Sequence, residues 1–129
     1  MIVDTSALIA ILKGEPERER FTVDILENRV AISAGTLAEA FIVAGGIAGE
    51  AGVREIEAVI RDADVTVVPV DLSQSRLMSR AHLAYGRGSG HPARLNYGDC
   101  FSYALAISRD EPLLFTGDDF VHTDVRRVE

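Results

Sequence analysis

One cysteine, Cys100, stands in a chain of 129 residues, so no intrachain disulfide can form. A lone thiol of this kind reads as a small core residue, and a reducing, cytoplasmic setting fits it. No uninterrupted apolar run approaches the ~20 residues of a membrane span. The run Ala7 to Leu12 is too short, follows an acid and has no basic stretch before it, which argues against a signal peptide and a membrane partner. Lysine is almost missing. Lys13 is the only one, and it lies inside the first helix, far in sequence from all but the first of the acidic blocks described below, which counts against a phosphoryl-switch domain. The phosphate loop Gly-x-x-x-x-Gly-Lys-Ser/Thr, the fingerprint Gly-x-Gly-x-x-Gly and the elbow Gly-x-Ser-x-Gly are all absent. His82, His91 and His122 do not stand at zinc-site spacing, and one cysteine excludes a thiolate cage.

What the chain has is acid. The net charge is −7, which on its own disfavours nucleic acid as a partner. The distribution alters that reading. Between Leu72 and Gly98 there is no Asp or Glu, while Arg76, Arg80, Arg87 and Arg94 occur, so this stretch carries +4 and the remainder −11. A chain can be acidic overall and still offer phosphate a local cationic face. The alternative is an arginine-rich helix face that is merely solvated.

Apolar runs and helical spacings alternate along the chain. Ile2-Val3, residues 30–33, residues 65–70 (broken by Pro69) and Leu113 to Phe115 read as strands, and Val125 to Val128 as a further one. Helices are expected over 5–13 with Thr5 or Ser6 as cap, from Pro16, over 36–47, over 53–62, from Asp71 or Ser73 to Tyr85, and over 98–108. Glycines 45, 46, 49 and 52 should loosen the chain between two of them, and Gly86 to Pro92 should form a loop. Continuous apolar strands suit a parallel sheet covered on both faces. The expectation is an α/β fold, a three-layer α/β/α sandwich around a central, mainly parallel four- to five-stranded sheet, with residues 1–129 as one domain.

Acids sit where those strands end or helices begin: Asp4 after the first strand, Glu39 one turn into the helix after the second, Asp99 at the start of the helix at 98, and Asp118-Asp119 after the Leu113 strand. Each has a plain structural alternative. Asp4 can be a helix cap, Thr36-x-x-Glu39 a capping box, Asp99 a favourable charge at a helix start, and Asp118-Asp119 a polar turn. Ser33 could cap the third helix instead, leaving Glu39 free. Together they can converge at one sheet edge, where α/β proteins bind ligands. Like charges gathered there call for a cation. Magnesium and manganese prefer such hard oxygen ligands, and two ions about 4 Å apart can stabilise both oxygens of a phosphoryl displacement. The reading is metal-dependent hydrolysis of a phosphodiester. A module of the same fold that binds RNA or a peptide without chemistry is the competing one.

The blocks Ile2 to Leu8, Leu37-Ala38-Glu39, Leu95 to Ala104 and Leu113 to Phe120, in this order and spacing, closely resemble the PIN-domain ribonucleases, and within them the VapC-type toxins of type II toxin–antitoxin pairs. The resemblance covers the whole chain. It implies a Mg²⁺- or Mn²⁺-dependent endoribonuclease, a homodimer, and a VapB-like antitoxin over the site in a groove of the helices at 5–26 and 36–60. By position Asp4, Glu39, Asp99 and Asp118 match the acidic quartet. Asp4, Asp99 and Asp118 would be metal ligands, with Glu39 orienting the attacking water. Ser6, Asn96 and Asp119 would support them. Arg76, Arg80, Arg87 and Arg94 would form the RNA phosphate face.

Overall fold

The computed structural model describes residues 1–129. Its elements run β1 (Ile2–Val3), α1 (Thr5–Lys13), α2 (Arg18–Glu27), β2 (Ala31–Ser33), α3 (Ala34–Asp62), β3 (Thr66–Val68), α4 (Leu72–Tyr85), α5 (Tyr97–Arg109) and β4 (Leu113–Leu114). The strands form one sheet in the order β3-β2-β1-β4, and every pairing is parallel. The chain steps outward from β1 through β2 to β3, then returns to place β4 on the other side of β1. That reversal lies between β1 and β4, so the crevice beyond their carboxyl ends is the natural place for a ligand.

Side chains alternate across each strand and divide the core in two. Val3, Ile32 and Leu114 join Leu8, Phe21, Ile25 and Ile56 on the α1–α3 side. Ile2, Ala31 and Leu113 join Leu95, Leu105, Phe115 and Phe120 on the α4–α5 side. This is the expected sandwich. Burying each such Leu, Ile or Phe side chain contributes about 1.5–3 kcal/mol, which lets very short strands hold the sheet.

Several boundaries differ from expectation for identifiable reasons. The glycine-rich 45–52 stretch does separate two helices, as expected, but the break is shorter: only Ala48 (φ −138°, ψ 17°) and Gly49 (φ 61°, ψ −148°) leave helical geometry, so α3 is two helical segments joined across a kink. Gly52 packs so closely on the Ala44 carbonyl that a side chain there would overlap it. By length and composition α3 could cross a membrane, but the kink interrupts it, and Ala40, Ala44 and Ile56 are buried against the α1 side of the core. Pro16 lies in the turn before α2 rather than in its first turn. β3 is an edge strand, with Thr66 and Val67 exposed, rather than a buried one. The fifth strand shrinks to one parallel bridge, Leu113 with Arg127, at the β4 edge.

Candidate active site

Asp4 follows β1 directly and caps α1, taking the role expected of Thr5 or Ser6. Capping does not exhaust its carboxylate. Oδ2 accepts from the Ser6 amide (3.0 Å) and the Ser6 hydroxyl (2.7 Å), while Oδ1 accepts from the Ser102 hydroxyl (2.5 Å). The residue is 3% exposed. Ser6 Oγ also accepts from the Thr116 amide just past β4 (3.1 Å), tying the two strands that flank the crevice. The expected supporting role of Ser6 thus has a concrete geometry.

Glu39 is not a capping-box residue. Ser33 caps α3 by accepting from the Gly35 amide (3.2 Å), which places Glu39 deeper in the helix. Its Oε1 accepts from the Thr5 hydroxyl (2.5 Å). Its carboxylate rests against Gly98, where any side chain would overlap it. Gly98 therefore lets α3 bring Glu39 to the first turn of α5, beside Asp99.

Asp99 and Asn96 form a reciprocal capping box at the start of α5. Asn96 donates its amide to Asp99 Oδ2 (3.0 Å), and Asp99 donates its own amide to Asn96 Oδ1 (2.9 Å). The pKa of Asp99 is pushed from 3.8 up to about 7. Burial is the main cause. The Asn96 amide opposes it, and the carboxylates of Asp4, Asp119 and Glu39 add to it. Four acids from four separate stretches thus share one electrostatic neighbourhood, with no cationic side chain relieving Asp99.

Asp118 and Asp119 are both exposed in the turn after β4. Only Asp119 is among the groups that raise the Asp99 pKa. Both line a shallow cleft of about 360 Å³ with Arg87, Arg94 and His122. Of the four arginines, two therefore share a cleft with Asp118 and Asp119. Arg94 does so from a left-handed backbone conformation (φ 52°), in a loop closed by the bridge between Gly86 and Leu95. Arg76 and Arg80 lie exposed on α4 instead.

Sequence reasoning missed the hydroxyls beneath the acids. Ser102 and Thr36, both fully buried, share a 3.0 Å hydrogen bond, and the Thr5 hydroxyl also reaches the Thr36 carbonyl (3.3 Å). Ser102 stands three residues after Asp99 and Thr36 three before Glu39, a spacing that puts each on the same helix face as its acid. Cys100 behaves as expected of a core thiol. Its Sγ donates to the Asn96 carbonyl (3.3 Å), and burial followed by the Asp99 charge pushes its pKa up to about 11.

No three His, Cys, Asp or Glu side chains gather closely enough to hold a metal ion by themselves. Zinc, which takes three or four protein ligands, does not fit. Magnesium or manganese does, because such an ion is usually held by one or two carboxylates with water and substrate phosphate completing the shell. Asp4 and Asp99 supply two buried carboxylates, and the raised Asp99 pKa marks negative charge that a cation would relieve.

Buried carboxylates gather at the switch point of a parallel α/β sheet, and two arginines line the neighbouring cleft with Asp118 and Asp119. The PIN domain model matches residues 1–126. Ribonuclease VapC28 of Mycobacterium tuberculosis is 47% identical over 130 residues, covering 99% of this chain and 97% of the relative. The chain belongs to the PIN-domain family, in its VapC branch. Solved structures agree on the fold. Mycobacterium tuberculosis VapC20, described as a sarcin–ricin loop cleaving toxin, superposes with a TM-score of 0.78 at 17% identity, covering 98% of this chain and 97% of that one. VapBC2 of Rickettsia felis, bound to a DNA fragment from its promoter, gives 0.74 at 15% identity, covering 99% and 96%.

Proposed function

We propose that this chain is a VapC-type toxin, a single-domain endoribonuclease that hydrolyses RNA phosphodiester bonds with Mg²⁺ or Mn²⁺ at the Asp4–Glu39–Asp99 cluster. The convergence of Asp4, Glu39 and Asp99 on one crevice carries the reading, and the Asp99 carboxyl, pushed up first by burial and then by its carboxylate neighbours, agrees with it. Asp4 and Asp99 hold the cation. When bound, it supplies charge stabilisation to the phosphoryl oxygens. Glu39, fixed by Thr5 and by the space at Gly98, orients the attacking water. Asp119 is the better-placed fourth acid than Asp118, since it is the one that acts on Asp99. Arg87 and Arg94 hold the substrate backbone at the rim, which supplies affinity and register rather than base choice.

The relatives' names support the ribonuclease reading, and the toxin–antitoxin structure supports a VapB-like antitoxin as inhibitor. A groove of about 600 Å³ between α1, α2 and the second half of α3, with Ile11, Val23, Leu26 and Val59 along it, suits an apolar antitoxin segment. Ile42 and Ile47, exposed on the first half of α3, suit a homodimer contact. The protein would work in the cytoplasm, where RNA and antitoxin are found.

The test is incubation of the purified protein, freed of any antitoxin, with total bacterial RNA in Mg²⁺, Mn²⁺ or EDTA. Discrete fragments that need the metal and vanish in Asp4→Asn support the nuclease. RNA bound but never cut under any metal would favour the non-catalytic binding module.

A further inference from the structure

Between α4 and α5 lies a cleft of about 420 Å³ that the acidic site does not use. Tyr97 and Phe101 form one wall, Met78 packs in its base, and Ser75, Ser79 and His82 edge it from α4. Tyr97 is unusual. It is 75% exposed although it is the first residue of α5 and stands two positions before Asp99. Its ring is held edge-on by Phe101, with centroids 5.0 Å apart at 77°. Phe101 is fixed in turn, because its ring packs on Gly35, where a side chain would overlap it. The result is an exposed aromatic face on the first turn of α5, the turn that carries Asp99. Arg76 and Arg80 follow Ser75 and Ser79 on the same exposed helix.

We infer that this cleft is a nucleobase subsite, in which an unpaired base next to the scissile phosphate stacks on Tyr97. The inference rests on the nuclease reading and deepens it by naming where one splayed base of the substrate is held. The chemistry fits each wall. RNA readers take unstacked bases onto aromatic faces and pair their edges with polar side chains. A mostly apolar concavity with a few polar groups at its rim is how small planar ligands are held. Ser79 and His82 offer donors and acceptors to a base edge, and Arg76 and Arg80 offer cations to the neighbouring phosphate. A purely aliphatic peptide would leave those polar edges without partners. This gives Arg76 and Arg80, remote from the acids, a place on the substrate path.

The chain contains no tryptophan, so Tyr97→Trp creates a single reporter. Its emission is followed while a short single-stranded RNA is added in EDTA, where no cleavage occurs. Leu26→Trp on α2, also exposed, is the control. Quenching that saturates in Tyr97→Trp and is absent in Leu26→Trp supports the subsite. Steady-state cleavage is the second readout. Tyr97→Ala should raise KM about 5- to 150-fold, the loss of one base stack, with kcat changed much less, and Tyr97→Phe should restore the wild-type KM. Wild-type cleavage of RNA without quenching and without a KM effect overturns the subsite and leaves the nuclease standing. Quenching by RNA that the wild type never cuts keeps the subsite and sinks the nuclease. Emission that shifts with protein concentration and ignores RNA overturns the inference, because the cleft is then covered by another protein chain.

Discussion

Asp99→Asn should stabilise the metal-free protein, and only above acidic pH. The Asp99 pKa is 3.8 in its ordinary state and about 7 in the fold. A carboxyl whose folded pKa is raised favours folding in its protonated form. Its contribution is therefore fully present below pH 3.8, falls as pH rises towards 7, and is flat above, where both states are ionised. At 1.36 kcal/mol per unit, the full shift corresponds to about 4 kcal/mol, and water reaching the rim of the site should reduce that to about 2. Asparagine keeps an oxygen for the Asn96 amide, so the capping box survives while the charge is lost. Urea melts in EDTA from pH 4 to 8 would measure this. The wild type should lose about 2 kcal/mol across that range relative to Asp99→Asn, with the curves converging at the acidic end. Saturating Mn²⁺ at pH 8 should stabilise the wild type and leave the variant nearly unchanged. A variant that tracks the wild type at every pH, or that is less stable at pH 8, would refute the argument that Asp99 is held at an electrostatic cost.

Other perturbations separate the roles of the remaining residues. Gly98→Ala should displace the Glu39 carboxylate and lower kcat at least tenfold with little loss of melting temperature, as cleavage assays and thermal melts would report. Asp119→Asn should reduce activity more than Asp118→Asn, and the reverse order would return the fourth place in the quartet to Asp118. Ile56→Ala, far from the acids in the α1–α3 core, should cost about 2–5 kcal/mol in urea melts while the folded fraction keeps its activity. Light scattering after size exclusion should give a dimer for the wild type and a smaller species for Ile42→Asp, if the exposed face of α3 joins two copies.

The acids were legible because each sits at a strand–helix junction, and a parallel sheet delivers such junctions to one edge. A capping role and a place in the acidic cluster do not exclude one another. Asp4 caps α1 with one carboxylate oxygen and meets Ser102 with the other, and Asp99 belongs to a capping box while remaining the most perturbed acid. The hydroxyls of Thr5, Thr36 and Ser102 were not legible, since a serine or threonine inside a helix has many ordinary uses and only the packing of α1, α3 and α5 brings these three together. The kink at Ala48–Gly49 was read as a longer break, because glycine content reports permitted backbone freedom and not whether tight packing, as at Gly52, uses it. The same limit hid Tyr97, whose exposure beside Asp99 depends on where α5 begins.

The most direct measurement is a calorimetric titration of Mn²⁺ into the purified, antitoxin-free protein at pH 8, beside Asp4→Asn. One saturable site in the wild type that weakens by tenfold or more in the variant is the predicted result. Equal binding by both proteins, or none by either, would contradict the claim that the buried carboxylates are gathered to hold a cation.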